Sequence, residues 1–331
     1  WIMAYTVIDK PSDYFNTVLY SGNNTSQSVT GVGFQPDWVW LKERNGTEQH
    51  NVYDSVRGIY KRLMPDANSL EYSSDTQLTA FGSDGFSVGS SDAINDAGNS
   101  MVAWNWKKSA TSGFDIVTAT GTGSAKTIAH SLSAVPQVII SKEKSGSIND
   151  WVVYHESLGN NKKLTLNTTN AVNTDSCWNN TTPTSSVFSV SGASVVNRNS
   201  STYVYYLFSE KKGYSKFSSY IGNGQDTPNG VFTYLGFTPA FILIKATDSN
   251  SWVIVDNKRP ADPNPVDSSL AANSSDAETT GDSNTTFDFL SNGFRTNGNS
   301  GNNNSSGQEY IFMAFASSPF TTSTGIPATA K

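Results

Sequence analysis

The chain repeats one sequence pattern three times, and this repetition restricts its possible folds more than any other feature. In each copy a proline is followed by an apolar run and, six positions after the proline, by a lysine: Pro36 and Lys42, Pro136 and Lys142, Pro239 and Lys245. The prolines are 100 and 103 residues apart. An interval of this size is too long for a solenoid unit and fits a small domain. We therefore predict modules at 14–112, 113–212 and 213–320, with an N-terminal segment 1–13 and a C-terminal tail 321–331.

The local patterns within each copy are typical of β-strands. Short runs rich in Val, Ile, Phe, Trp and Tyr are bounded by Gly, Asn, Ser and Pro. Asn45-Gly46 and Ser145-Gly146 separate two such runs, and residues of this kind favour hairpin turns. Gly, Ser, Thr and Asn together make up 139 of the 331 residues, a composition that disfavours long helices. We predict an all-β protein of three tandem β-sandwiches of the jelly-roll or lectin-like kind.

Composition and motifs argue against several classes of protein. The net charge of −6 makes a poor electrostatic surface for nucleic acid, and no apolar run reaches the ~18 residues of a membrane span. Cys177 is the single cysteine, so no internal disulfide can form. The three histidines lack metal-ligand spacing, and no motif for a nucleophile or a phosphate loop is present. We expect no enzymatic activity, metal or cofactor, although paired carboxylates for glycoside hydrolysis can lie far apart in sequence.

The segments that differ most between the copies are candidates for recognition. Segments 57–75, 156–185 and 257–286 are polar and variable in length, and we interpret them as long surface loops. Trp178, followed by Asn179 and Asn180, lies in the second of them, and Tyr72 lies in the first. An aromatic ring beside amides can stack on a sugar and bond its hydroxyls, so these four residues form the predicted ligand site. The alternative is that the aromatic side chains fold back onto their own sandwiches.

Three stretches carry a resemblance to a known family. They are the repeated Gly-Phe-x-Pro element with its following lysine, the run 213–224 (GYSKFSSYIGNG), and the closing run 314–320 (AFASSPF). Over roughly 14–327 the chain resembles a family of repeated modules in virion proteins of bacteriophages, abundant in phages of marine bacteria. The resemblance implies a tail-fibre, receptor-binding or other virion surface protein with lectin-like sandwiches. The middle copy departs from the pattern, because Ser133-Ala134 replaces the Gly-Phe pair.

We therefore expect a non-enzymatic protein of the virion surface, extracellular in location, that engages a host cell-surface glycan or receptor. Two alternatives stay open: a purely structural virion part such as a head fibre, decoration or spacer, and a bacterial extracellular carbohydrate-binding module. Other virion proteins are expected partners. The resemblance implies a homotrimer, but three copies in one chain can also build a pseudo-threefold unit by themselves.

Overall fold

The structure is a computed structural model that describes residues 5–283 and 285–327. The regular secondary structure of the described residues is antiparallel strand with a few single-turn helices, which confirms the all-β class. None of the helices in these ranges is long and apolar enough to span a bilayer.

The elements follow in three series along the chain. A 3-10 helix at Pro11–Asp13 precedes the first repeat, which contains β1 (Phe15–Ser21), β2 (Gln27–Thr30), β3 (Trp38–Glu43), β4 (Asn51–Asp54), β5 (Lys61–Arg62), β6 (Tyr72–Ser73), β7 (Leu78–Gly82), β8 (Gly85–Val88), α1 (Asp92–Asn95) and β9 (Ser100–Trp106). The second repeat contains β10 (Phe114–Thr120), β11 (Lys126–Ala129), β12 (Val138–Ser145), β13 (Val152–His155), a 3-10 helix (Glu156–Leu158), β14 (Lys162–Thr165), β15 (Asn173–Thr174), β16 (Val187–Val190), α2 (Ser194–Asn197) and β17 (Thr202–Phe208). The third contains β18 (Ser215–Ile221), β19 (Phe232–Tyr234), β20 (Phe237–Ala246), β21 (Trp252–Asp256), β22 (Leu270–Ala271), β23 (Thr286–Leu290), β24 (Gly293–Asn297) and β25 (Glu309–Pro319).

Each repeat contributes one large sheet, and the strand order is the same in all three. The sheets run β1-β9-β3-β4, β10-β17-β12-β13 and β18-β25-β20-β21, with β14, β15 and β22 added at the open edges. The residue two positions after each repeated proline pairs with the equivalent residue of the last strand: Trp38 with Trp106, Val138 with Phe208, and Phe241 with Phe315. Pro36 and Pro136 precede their strands by two residues. Pro239 instead lies inside β20 at a β-bulge, where a missing N–H is tolerated.

A smaller sheet covers the outer face of each large sheet. These sheets are β2-β8-β7, β11-β16 and β19-β24-β23. In the first repeat, Val39 and Leu41 of β3 pack with Phe86 and Val88 of β8 in one buried cluster. Alternate residues of a strand point to opposite faces, so Trp38 and Trp40 face the other way.

The inner faces of the three large sheets meet in one aromatic cluster, which we call the central core. It contains Trp38, Trp40, Trp104 and Trp106 from the first repeat, Phe114, Tyr206 and Phe208 from the second, and Phe217, Phe241 and Phe315 from the third. Ring centroids of different repeats lie close together, at 4.7 Å for Trp38 and Tyr206, 5.5 Å for Phe15 and Phe241, and 5.9 Å for Phe208 and Phe315. The repeats are therefore not independent domains, because each buries the inner face of its large sheet against the other two.

Equivalent hydrogen bonds join each repeat to the next around the central core. Trp104 Nε1 donates to Asp256 Oδ2 (2.8 Å), Tyr206 OH donates to Asp54 Oδ2 (2.7 Å), and His155 Nε2 lies 3.2 Å from the Phe312 carbonyl oxygen. Asp54, His155 and Asp256 occupy equivalent sequence positions at the ends of β4, β13 and β21. The three bonds thus form a ring with approximate threefold symmetry.

The charge on this ring differs between the junctions. The buried carboxylates of Asp54 and Asp256 pair with Arg57 (2.5 Å) and Arg259 (2.6 Å), three residues further on. The second repeat has neutral groups here, since Leu158 stands where the arginines stand. Burial lowers the pKa of His155 to about 4, and Ser157 N donates to its Nδ1. The neutral imidazole of His155 therefore donates through Nε2.

The variable segments reach across the junctions between repeats. Backbone hydrogen bonds run from Glu71 N to Lys144 O (3.1 Å), from Val172 N to Thr247 O (2.8 Å) and from Glu278 N to Arg44 O (2.7 Å). A second set of bonds also crosses the junctions: Trp151 Nε1 to Met64 O, Trp252 Nε1 to Thr165 O, and His50 Nε2 to Ala271 O. The variable segments therefore hold neighbouring repeats together as well as forming surface loops; they are 57–75, 156–185 and 257–286, and we call them the junction segments.

The repeated lysines are buried and donate hydrogen bonds to backbone carbonyl oxygens. The ammonium of Lys245 donates to Ala246 O and Asp248 O, both at 2.6 Å, and that of Lys142 donates to Asn149 O (2.7 Å) and, across a junction, to Asn68 O (3.0 Å). Burial lowers the pKa of both ammonium groups to about 8. The lysines therefore recur at this position because their ammonium groups satisfy carbonyl oxygens in the turns that follow their strands.

Residues from the two ends of the chain close the junction between the first and third repeats. The polypeptide links the first repeat to the second and the second to the third, whereas this junction has no direct peptide link. Ile8 is buried in the central core, Tyr5 OH donates to Gly236 O (2.8 Å), and Ser323 N donates to Asp9 Oδ1 (2.6 Å). A single chain therefore completes the ring.

We predict that the purified protein is a monomer of about 35.7 kDa at micromolar concentration, because one chain already fills all three junctions. Light scattering measures the mass directly. A trimeric mass would instead favour the homotrimer that the family resemblance implies.

We predict that His155 makes the free energy of unfolding fall as pH is lowered. The unfolded chain takes up a proton below about pH 6.5, whereas the folded ring does so only near pH 4. Between these values His155 should cost roughly 1.4 kcal/mol per pH unit. Denaturant unfolding of wild type and His155→Gln across this range should show a shallower pH dependence for the variant. Parallel curves would refute the assignment.

Candidate functional site

Trp178, the centre of the predicted ligand site, is buried. Its side chain is 2% exposed and packs edge-to-face on Tyr154, with 5.7 Å between ring centroids, in the outer cluster of the second repeat. Cys177 beside it is also buried, and burial raises the pKa of its thiol to about 12. The indole face of Trp178 is therefore not available for stacking on an external sugar, and we do not carry that hypothesis further.

The other predicted site residues are exposed: Asn179 and Asn180 follow Trp178 in the same turn, whereas Tyr72 lies in another repeat. Asn179 and Asn180 have φ angles of 54° and 46°, a left-handed conformation that Asn tolerates better than most residues. Tyr72 is 51% exposed and lies 5.1 Å from the Arg62 guanidinium. No hydrogen bond or ring contact in the described ranges joins Tyr72 to Trp178, so the structure does not bring these residues into one site.

Among the described residues, the titratable side chains form no recognisable metal centre. Within residues 5–283 and 285–327, no group of three His, Cys, Asp or Glu residues is arranged to hold a metal ion. His50 and His155 are buried, and each faces a carbonyl oxygen of a neighbouring repeat. Burial lowers the pKa of His50 to about 3.

Exposed aromatic side chains gather at one place on the third repeat, which we call the aromatic patch. It consists of Tyr5, Phe232, Tyr234 and Phe320, with Lys212 and Lys216. Phe232 and Tyr234 are 48% and 50% exposed and project to the same face of β19. The rings of Tyr5 and Phe320 meet edge-to-face at 6.4 Å, and the hydroxyls of Tyr5 and Tyr234 are 3.3 Å apart.

Two lysines border the rings of this patch. The Lys212 ammonium lies 4.5 Å from the centroid of Tyr5, and the Lys216 ammonium lies 5.7 Å from that of Tyr234. These are cation–π distances. The patch thus combines half-exposed aromatic faces, phenol hydroxyls and positive charge. The sequence analysis did not identify the aromatic patch, because its members come from residues 5, 212–216, 232–234 and 320, and no local sequence pattern connects them.

Two clefts open at the junctions between repeats. The first, of about 510 Å³, lies between the first and third repeats and is lined from β1, β20, β25 and the turn after β21. The second is a shallow, open depression between the first and second repeats, lined from β10, β11, Val56 and Lys108. They occupy equivalent places, since Asn16 in β1 corresponds to Asp115 in β10, one residue after the equivalent Phe15 and Phe114.

The two clefts differ in charge. In the second cleft, Asp115 pairs with the Lys108 ammonium (3.0 Å) and accepts a hydrogen bond from Ser131 N (2.7 Å). In the first cleft the amide of Asn16 replaces that carboxylate and donates to Val32 O (3.1 Å). Lys258 lines this cleft and forms no ion pair in the part of the chain that the structure describes. Lys258 is exposed and corresponds to Val56 in the repeat register, whereas Ser317 corresponds to Lys108, so the larger cleft has neutral residues where the smaller one has an ion pair.

Comparison with known proteins gives a family without an assigned activity. No curated protein matches the chain. A family model does match, over residues 10–319, so one match spans all three repeats and agrees with their shared core. The chain belongs to the family described as a domain of unknown function, DUF7483.

Proposed function

We propose that this protein is a non-enzymatic, extracellular component of a virion surface, of the tail-fibre type, and that it engages a host cell-surface glycan or receptor. The observation that carries the binding role is the aromatic patch. The virion location rests on the resemblance of the repeated elements to bacteriophage surface modules. We further propose that each repeat is a lectin-like sandwich within the ring.

The composition of the aromatic patch suits a saccharide. The C–H faces of a pyranose stack on aromatic rings, and its hydroxyls need hydrogen-bond partners close to those rings. Tyr5 and Tyr234 supply both kinds of contact, and Phe232 extends the apolar surface. Neighbouring exposed rings on a water-soluble surface expose apolar area that burial elsewhere would remove, which makes the patch a candidate contact surface.

The arrangement of the ring supports a role on a particle. Fixed sheets around one core hold the patch in a single geometry, so little conformational entropy is lost on binding. Weak contacts multiply when a particle displays many copies. A purely structural virion part would share the rigid ring but would not depend on the patch. A bacterial carbohydrate-binding module would use the patch without a virion.

We predict that Phe232→Ala combined with Tyr234→Ala weakens adsorption to host cells, or binding to arrayed bacterial surface polysaccharides, by at least about tenfold, since hot-spot aromatics contribute roughly 2 kcal/mol or more each. Both side chains are about half exposed, so thermal stability should change little. Ile148→Ala is the control, because Ile148 is an exposed apolar residue of another repeat, with 63% of it exposed. Unchanged binding by a folded double variant would favour the purely structural role.

A further inference from the structure

We propose that the cleft between the first and third repeats binds an uncharged hexopyranose, held by hydroxyl and amide side chains. This inference rests on the proposed function, since it assigns a saccharide class to a protein proposed to bind saccharides. The cleft shares no lining residue with the aromatic patch, so the two sites can be tested separately.

A side chain that fills the other two junctions is replaced by a smaller one at this cleft. Strand pairing makes Thr17 of β1 equivalent to Ile116 of β10 and Phe217 of β18. Ile116 and Phe217 belong to the central core, and threonine is smaller than either. The cleft has a volume of about 510 Å³, which falls within the range of small-molecule sites.

A side-chain acceptor that the first two repeats share is also missing here. Asp37 Oδ2 accepts a hydrogen bond from Lys108 N, and Gln137 Oε1 accepts one from Glu210 N, both at 2.7 Å. The equivalent residue of the third repeat is Ala240, which likewise directly follows the repeated proline and has no polar side chain. Ala240 lines the cleft, so the smaller side chain adds to its width.

The loss of that acceptor leaves an amide without a protein partner. In the first repeat, Ser55 Oγ donates to Asp37 Oδ1 (2.7 Å). Asn257 is the equivalent of Ser55, since Ser55 N donates to Asp37 O (2.9 Å) and Asn257 N donates to Ala240 O (3.0 Å). The side chain of Asn257 lines the cleft, is partly exposed, and forms no hydrogen bond with any described residue. Its amide can therefore donate to a ligand and accept from it.

Three serine hydroxyls around the cleft are also available to a ligand. Ser12, Ser291 and Ser318 line the cleft, are partly exposed, and make no side-chain hydrogen bond within the ranges that the structure describes. Phe15 and Pro239 form apolar portions of the lining. A pyranose presents the complementary surface, with apolar C–H faces and a rim of hydroxyls that both donate and accept.

The lining favours an uncharged ligand over an ionic one. Asn16 and Ser317 stand where the junction between the first and second repeats has the ion pair of Asp115 and Lys108. Lys258 is the one ionisable residue in the described lining, and it is exposed, so water solvates its ammonium. An ionic ligand would find no buried counter-ion, whereas hydroxyls and amides are the partners that a neutral sugar needs.

Calorimetric titration of the intact chain with the methyl glycosides of glucose, galactose and mannose tests the assignment. We expect at least one of them to bind at one site per chain with a dissociation constant of about 1 mM, the strength typical of so small a ligand. Glucuronate should bind no more tightly. Asn257→Ala should weaken glycoside binding by about fivefold, because a hydrogen bond is lost. Ser55→Ala, the matched change at another junction, should leave it unchanged.

A variant that fills the cleft separates a ligand site from a mere feature of the fold. Thr17→Ile with Ala240→Gln places at this junction the side chains that Ile116 and Gln137 supply at the other two. The repeated fold already accepts those side chains, so the midpoint of thermal unfolding should change little. Glycoside binding should fall by at least about tenfold. If this variant does not fold, the comparison of Asn257→Ala with Ser55→Ala decides the question.

Four results would overturn the proposal: no binding of any of the three glycosides at about ten times the expected constant, tighter binding of glucuronate, unchanged affinity in a folded variant with the filled cleft, or equal loss of affinity in Asn257→Ala and Ser55→Ala. These titrations use soluble sugars and need no host cell or particle. They can therefore succeed where the aromatic patch fails as an adsorption site, and fail where it succeeds. Phe232→Ala with Tyr234→Ala should leave glycoside binding in the cleft unchanged.

Discussion

The packing of aromatic rings from three sheets into one central core is the interaction on which the rest of the structure depends. Burying one large apolar side chain stabilises the fold by roughly 1.5–3 kcal/mol, and the central core holds four tryptophans from the first repeat alone. These rings cannot stay buried in an isolated repeat, because their neighbours are Tyr206, Phe241 and Phe315 of the other two repeats. The ring of hydrogen bonds and the junction segments further stabilise the arrangement of three sheets that the aromatic contacts require.

The all-β class could be predicted because it depends on local patterns. Strand runs and hairpin residues lie within short stretches of sequence, and the repeat of the proline element is visible by comparing such stretches. The closed ring could not be predicted in the same way. Trp38 and Trp104 fit a buried strand equally well whether their partners come from the same sandwich or from another repeat. The equivalence of Asp54, His155 and Asp256 is visible in the sequence, but the groups that they bond lie 152 to 157 residues away.

The candidate sites depend even more than the fold on contacts between residues that are far apart in the sequence. The Asn and Ser residues around Trp178 make it a candidate for stacking on a sugar, yet its side chain is buried with Tyr154 in its own repeat, as the alternative of a folded-back aromatic side chain expects. The aromatic patch joins Tyr5 to Phe320, from opposite ends of the chain. In the larger cleft, Asn16 and Ser317 stand where the smaller one has the ion pair of Asp115 and Lys108, a difference that is visible only when the repeats are aligned. The junction without a direct peptide link is also the junction with the larger cleft.

The central claim is that the three repeats form one cooperative unit, and differential scanning calorimetry of the intact chain tests it most directly. If the central core is shared, the repeats must unfold together, so the thermogram should show one transition whose calorimetric enthalpy equals the van't Hoff enthalpy. Separate transitions, or a calorimetric enthalpy about three times the van't Hoff value, would show that the repeats are independent domains and would contradict the shared core.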